Sequence, residues 1–311
     1  MPALSAETRL DLFLVASGAA LTRSQAKKWI DAGHVRVDGV ARKAGFPLVG
    51  GESIEVARPR ERPAIAEPED IPLRVLYEDD DLLAIDKPPG MVVHPAPGAW
   101  HGTVVNALLH RGLVSRELPA ERPGIVHRLD KETSGVLLVA RHERAQLALS
   151  RAFRERRVRK TYLAIVLGVP RSVSGALEWA IGRHPHERQR MSIRSRSPRE
   201  ARTRYSVVER FDGLALLRLH PETGRTHQIR VHLAAMGHPV LADPLYGAKR
   251  RRALPPRGPA RSFSRQALHA SEIELAHPVS GAILHLVAPT PDDMSELLRE
   301  LREAATSEDR S

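Results

Sequence analysis

Apolar positions in the first fifty residues recur at two spacings. Leu10, Phe13 and Leu14 fall on one side of a 3.6-residue repeat, which predicts an N-terminal helix. A second helix is expected to run through Ile30, with Ser24 as its N-cap and Gly33 closing it. Val35 and Val37 then alternate with polar residues, Asp38-Gly39 supplies a hairpin turn, and residues 53–56 alternate again. Residues 58–72 change character: four prolines among Arg and Glu predict an extended linker.

From Leu73 onward the pattern is that of a larger α+β domain. Residues 82–85 and 136–139 are continuous apolar runs, expected as buried strands, and Pro88-Pro89-Gly90 stops the first. A helix is expected over 143–156, with Leu147, Leu149 and Phe153 among its apolar positions. Strands are expected over 161–167, 204–208 and 214–219, then a helix over 226–236 closed by Gly237. Residues 273–275 and 283–287 read as strands around a turn at 278–281, and a last helix begins near Pro291. The expected organisation is a small α/β domain over residues 7–57, a linker over 58–72 and a larger domain over 73–300.

Composition narrows the partners. The chain has 311 residues and 42% apolar content, which suits about two ordinary folded domains. Its net charge of +11 suits a polyanion: RNA, DNA or an anionic membrane surface. No cysteine is present, which excludes disulfides, thiolate metal sites, a cysteine nucleophile and the zinc-dependent base deaminases. The N-terminus lacks a cleavable signal pattern, and no apolar run reaches the length of a membrane span. A soluble, cytoplasmic protein with no membrane partner is expected. Two stretches are strongly basic. Residues 186–204, which include Arg188, carry seven Arg against two Glu, and residues 248–265 carry six Arg and one Lys with no acid. Both are expected to be loops contacting phosphate, with Phe263 the one aromatic residue available for stacking.

The tripeptide Arg-Leu-Asp occurs twice, at 9–11 and 128–130. Asp11 lies among helical apolar residues, where a solvent-facing role is expected. Asp130 lies between two strand-like stretches, in a loop that can present a carboxylate to a cleft. His184, His186, His227 and His232 offer no His-Glu-x-x-His pattern, and the 227/232 spacing misaligns two helical side chains. No metal site is expected.

The run from His127-Arg128-Leu129-Asp130 through Lys131-Glu132-Thr133-Ser134-Gly135 resembles the active-site motif of the RluA family of RNA pseudouridine synthases. Asp86-Lys87-Pro88-Pro89-Gly90 upstream is similar to the family pattern too. So, in order, are Lys160-Thr161-Tyr162-Leu163-Ala164, Gly224-Arg225-Thr226-His227-Gln228-Ile229-Arg230, Gly237-His238-Pro239-Val240, Asp243-Pro244-Leu245-Tyr246-Gly247 and His269-Ala270. The resemblance covers about residues 73–290. The first fifty-odd residues resemble the alpha-L RNA-binding motif of the ribosomal-protein S-four type. Residues 183–191 look most like the branch acting on large-subunit ribosomal RNA.

The resemblance implies a mixed, mainly antiparallel sheet around a central cleft. It also implies a reaction that detaches uracil from ribose and rejoins it through carbon five, without cofactor. The target nucleotide must be flipped out at a cost of about a few kcal/mol. Asp130 would then initiate glycosidic cleavage, and Arg230 would pair with it, with Arg225 as rival. Otherwise Arg225 would contact RNA or the loop. Tyr162 would stack on the uracil and take part in proton transfer. Arg128 would fill the gap left by the base, and His127 would support the loop or touch RNA. Arg23, Lys27, Lys28 and Arg36 would bind structured RNA. The implied partner is large-subunit ribosomal RNA or its assembly intermediate, and the expected state is a monomer.

Overall fold

Helical spacing buries Leu10 and Leu14 completely on one face of α1 (Leu10–Ala16), against Ala26 and Ile30 of α2 (Arg23–Asp31). The computed structural model describes residues 8–19, 22–57, 66–96, 99–113, 118, 123–187, 189–252, 254 and 258–308. It divides into an N-terminal unit, Met1–Ala64, and a larger unit, Ile65–Ser311.

In the N-terminal unit, β1 (Thr8–Arg9) pairs with β4 (Pro47–Leu48), and β2 (Val35–Val37) lies between β3 (Val40–Ala41) and β5 (Ile54–Val56). Asp38 and Gly39 both take positive φ, 50° and 73°, as a tight hairpin between twisted strands requires. Two expectations are corrected here. The N-cap of α2 is Thr22, not Ser24: Thr22 is extended and its hydroxyl accepts from Gln25 N at 3.2 Å, while Ser24 is already in the first turn. Asp11 is not solvent-facing but only 2% exposed, with Arg9 Nε at 3.0 Å and Arg23 Nε at 2.7 Å. Desolvation pushes its carboxyl up, but the two guanidiniums outweigh it and hold it below its ordinary value.

The larger unit is built on a nine-stranded sheet. In chain order its elements are β6 (Arg74–Glu78), β7 (Leu82–Lys87), α3 (Val104–His110), β8 (Ser134–Ala140), α4 (Glu143–Arg154), β9 (Arg159–Leu167) and β10 (Ser174–Leu177). Next come β11 (Gly182–Arg183), β12 (Met191–Ser192), β13 (Thr203–Phe211), β14 (Leu214–Pro221) and α5 (Gln228–Ala235). Then follow α6 (Ala248–Arg251), α7 (Pro259–Ser262), β15 (Leu268–Ala276), β16 (Ile283–Val287) and α8 (Asp292–Glu308). The strand order is β10-β13-β14-β9-β15-β8-β7-β6, with β16 paired to β15. Every pairing in this sheet is antiparallel except β15 with β8, so the fold is α+β with a mixed, mainly antiparallel sheet.

The apolar runs are explained by burial on both sheet faces. Leu83, Ile85, Leu137 and Val139 join one core cluster, whereas Leu82, Ala84, Val136 and Leu138 join another. A third core surrounds β9 and β14 and is closed by Met294, Leu297 and Leu298 of α8. On α4, Ala145, Leu149 and Ala152 are buried at helical spacing. Leu147 lies 200° around the helix from Leu149 at about 100° per residue, and is 65% exposed. Residues before β6 also belong to this unit: Asn106 Nδ2 donates to Glu67 O at 2.6 Å, and Glu69 N donates to Asn106 O.

The two basic stretches are more structured than loops. The first contains the β12 arm of the β11–β12 hairpin, and Arg190 and Arg204 are paired with Glu187 and Glu222. Arg188 lies outside the described residues. The second contains α6 and α7. Phe263, the one aromatic residue that was available for stacking, is 8% exposed and part of the core. Arg265 is buried and held by Asp293. Among the described residues, no helix is long and apolar enough to cross a membrane.

Candidate active site

Residues 126–133 form the loop entering β8. Leu129 is buried in the core, so the extended-chain alternation turns Arg128 and Asp130 the other way, into a cleft of about 480 Å³. Thr133 N donates to Asp130 O at 3.0 Å and closes a turn behind the carboxylate. At the loop exit Gly135 has φ 112°, and a Cβ there would lie 2.1 Å from Ala270 O. Only glycine lets β8 approach β15 so closely.

Lys87 fixes the other side of this loop. It is fully buried, and its Nζ donates to Pro88 O at 2.7 Å, Met91 O at 2.9 Å and Lys131 O at 3.0 Å. Burial pushes it down to about 7. Sequence reasoning gave Lys87 no role; its place at the end of a buried strand, before Pro-Pro-Gly, was the available signal.

Arg230 is buried on the inner face of α5, where most arginines would not be found. Its Nη1 donates to Asp130 Oδ2 at 2.9 Å. Its Nε and Nη2 donate to Asp243 Oδ2 and Oδ1 at 2.6 and 3.0 Å. This two-point grip fixes the guanidinium plane, and with it the direction from which Asp130 is held. Burial works against the charge of Arg230, but Asp243 and then Asp130 outweigh it and raise its pKa. Asp243 also accepts from Leu245 N and Tyr246 N. Asp243 was quoted in a motif but given no role, because nothing local shows that it reaches α5.

Arg225 is not the partner of Asp130. Its Nε donates to Glu200 O at 2.9 Å, so it contacts the preceding loop. Gln228 pins the same turn: its Oε1 accepts from Thr223 Oγ1 and Arg225 N, and its Nε2 donates to Arg202 O. Tyr162 lies on β9 opposite Leu219 and lines the cleft. Burial, then the charge of Asp130, pushes its phenol above the ordinary value, so it stays protonated. His127 Nε2 accepts from Leu138 N at 2.8 Å, and its ring stacks on Phe153 at 4.7 Å. Burial pushes it down to about 3, which makes it a neutral prop for β8.

Arg128 is exposed at the cleft. Arg154, Arg156, Lys160 and Arg199 also line it and were not singled out from sequence. Lys160 Nζ donates to Thr223 O at 3.4 Å, and burial pushes it down to about 8. The cleft thus sets Asp130 among several cations, with Glu222 also on its wall, an arrangement suited to an anionic chain carrying the reacting group.

In the N-terminal unit, Arg23, Lys27, Lys28 and Arg36 are exposed. Arg23 is engaged by Asp11, Lys27 by Asp31 at 3.2 Å, and Arg36 by Gly39 O at 3.0 Å. One group with metal-like composition exists among the described residues: Asp79, Asp81 and His277. His277 Nδ1 accepts from Val279 N and Ser280 N, so the ring proton sits on Nε2, 2.9 Å from Asp79 Oδ2. That ring has no lone pair left for a metal.

Comparison with known proteins fits this arrangement. The family described as RNA pseudouridylate synthase matches residues 81–235, and the S4 domain matches residues 8–54. The chain belongs to the RNA pseudouridylate synthase family. It is 46% identical over 298 residues to the ribosomal large subunit pseudouridine synthase D of Nitrosomonas europaea, covering 94% of this chain and 84% of that one. The protein of the same name from Escherichia coli K12 is 41% identical over 302 residues, covering 94% and 90%. Among solved structures, human RNA Pseudouridylate Synthase Domain Containing 4 superposes with a TM-score of 0.55 at 29% identity, covering 74% of this chain and 93% of that chain.

Proposed function

We propose that this chain converts specific uridines of large-subunit ribosomal RNA to pseudouridine, with Asp130 as the carboxylate that initiates the reaction. The observation that carries the mechanism is the Asp130–Arg230–Asp243 chain at the floor of a cation-lined cleft. The names of the relatives support the choice of RNA. The target base flips out of its helix, Tyr162 stacks on it, and Arg128 fills the space it leaves. Asp130, held in place by Arg230, acts at the sugar. The bond from C1′ to N1 breaks, the uracil turns, and a bond from C1′ to C5 forms. The C5 proton leaves and N1 gains one, so atoms and charge balance without redox chemistry. Arg230 contributes by fixing the carboxylate in one rotamer and placing a positive charge beside it. Burial, then the charge of Asp130, favours the phenol form of Tyr162, so stacking is its main role in this proposal. The S4 unit supplies sequence-independent grip through Arg23, Lys27, Lys28 and Arg36. The enzyme acts as a monomer in the cytoplasm.

The test is a pseudouridine map of large-subunit ribosomal RNA from cells lacking this chain, read by chemical adduct. A defined set of sites should vanish and return with the wild-type chain but not with Asp130→Asn. A map that never changes contradicts the proposal.

A further inference from the structure

We infer that His227 is a second substrate-contacting residue of the cleft, and that its Nε2–H and the Asp130 carboxylate together hold the 2′-hydroxyl of the target ribose. This rests on the reading of Asp130 as the sugar-facing carboxylate.

Three observations lead to it. First, His227 is held in a left-handed backbone conformation, φ 56° and ψ 20°, at the start of α5. Such a conformation in a non-glycine residue costs energy, and the surrounding structure maintains it where it aims a side chain. Second, the ring's orientation and tautomer are set from behind. His227 Nδ1 lies 3.0 Å from the Tyr246 hydroxyl, whose oxygen accepts from Met191 N at 2.8 Å. Among the described residues, Nδ1 is the acceptor available to the hydroxyl proton, which leaves the imidazole proton on Nε2. Arg190 and Arg230 both place their guanidiniums over the Tyr246 ring, at 5.3 and 5.2 Å, and restrain it. Burial lowers the pKa of His227, consistent with a neutral ring.

Third, His227 Nε2 lies 3.9 Å from Asp130 Oδ2, and both side chains line the cleft. That distance is too long for a hydrogen bond. A donor and an acceptor that face a common gap fit a group able to do both, which is a hydroxyl. Within an RNA chain O3′ and O5′ are esterified. The 2′-hydroxyl is the free one, and it borders the C1′ atom at which Asp130 acts.

The experiment uses the full-length chain and two forms of one ribosomal RNA fragment, with uridine or 2′-deoxyuridine at the target position. His227→Asn tolerates the positive φ but is too short to reach; His227→Gln retains a longer N–H donor. On uridine RNA, His227→Asn should lose about tenfold in single-turnover rate, and His227→Gln should recover part of it. On deoxyuridine RNA the His227→Asn loss should be below about threefold, because the partner group is already gone. Tyr246→Phe, which frees the tautomer, should fall between wild type and His227→Asn on uridine RNA. Affinities for both RNAs, measured in parallel, give the same comparison where turnover is too slow to read. Equal loss on both sugars overturns the inference and points to the uracil edge instead. If Asp130→Asn remains active, the underlying reading fails; if it is inactive and the His227 loss is equal on both sugars, only this inference fails.

Discussion

Replacing Asp243 with asparagine keeps the side chain's shape and removes its charge, at a carboxylate with no solvent exposure. The asparagine oxygen remains where Leu245 N and Tyr246 N need an acceptor. Its amide nitrogen then faces Arg230 Nε, where an oxygen had accepted at 2.6 Å, so two donors oppose each other. Breaking a buried charge pair costs about 3–5 kcal/mol, and the lower end applies because Asp130 still pairs with Arg230. In a domain of this size each kcal/mol moves Tm by about 2–4 °C, so Asp243→Asn should melt about 6–12 °C below wild type. The guanidinium also loses its fixed plane, and Asp130 loses its orientation. One charge-assisted hydrogen bond is worth about 1.5–3 kcal/mol, which corresponds to a fall of about 10- to 150-fold in single-turnover rate. Release of tritium from C5-labelled uridine RNA reads that rate, and calorimetry reads Tm. RNA affinity should be unchanged, since Asp243 does not reach the cleft surface. A variant with wild-type Tm and rate would show that Asp243 does not position the site.

Tyr162→Phe should keep RNA affinity and the neutral part of the pH–rate profile, because burial keeps the phenol protonated well above neutrality. Tyr162→Leu should lose about 1–3 kcal/mol of base stacking; disappearance of an alkaline limb in Tyr162→Phe would instead make the phenol a base. Lys87 titrates near 7 in the folded chain but near 10.5 when unfolded, so the unfolded state binds the extra proton between those values. Stability should therefore rise with pH across that window by up to about 1.4 kcal/mol per unit at this site, and Lys87→Met should lose the slope; equal slopes in both proteins would refute it. Arg194 and Arg196 are exposed in the first basic stretch. Replacing both with Gln should lower the salt slope of RNA binding by about 0.7–0.9 per lost phosphate contact, and an unchanged slope would remove this segment from the interface.

The apolar runs at residues 82–85 and 136–139 were legible as strands because burial on both faces leaves a continuous signal. Asp130 and Arg230 were legible because each lies in a run whose residues are neighbours in sequence. Asp243 was not, since its pairing with Arg230 spans 13 positions and depends on how the segment after α5 folds back. Lys87 reaches Lys131 across 44 positions, a contact that no local pattern encodes. The apolar positions of α4 did not show which of them face the core: Leu149 is buried, whereas Leu147 is exposed. Asp11 is buried because Arg9 and Arg23 converge on it, and the second of these lies on another helix. The tight turns were legible throughout, since Asp38-Gly39 and Gly237 carry their own backbone preference.

Asp130 carries the proposed reaction. Purified wild-type chain and Asp130→Asn should be incubated with large-subunit ribosomal RNA lacking modification, and pseudouridines mapped by adduct while RNA affinity is measured on the same samples. The account predicts site-specific pseudouridine with wild type, none with Asp130→Asn, and equal affinity for both. Equal modification by the two proteins would contradict it.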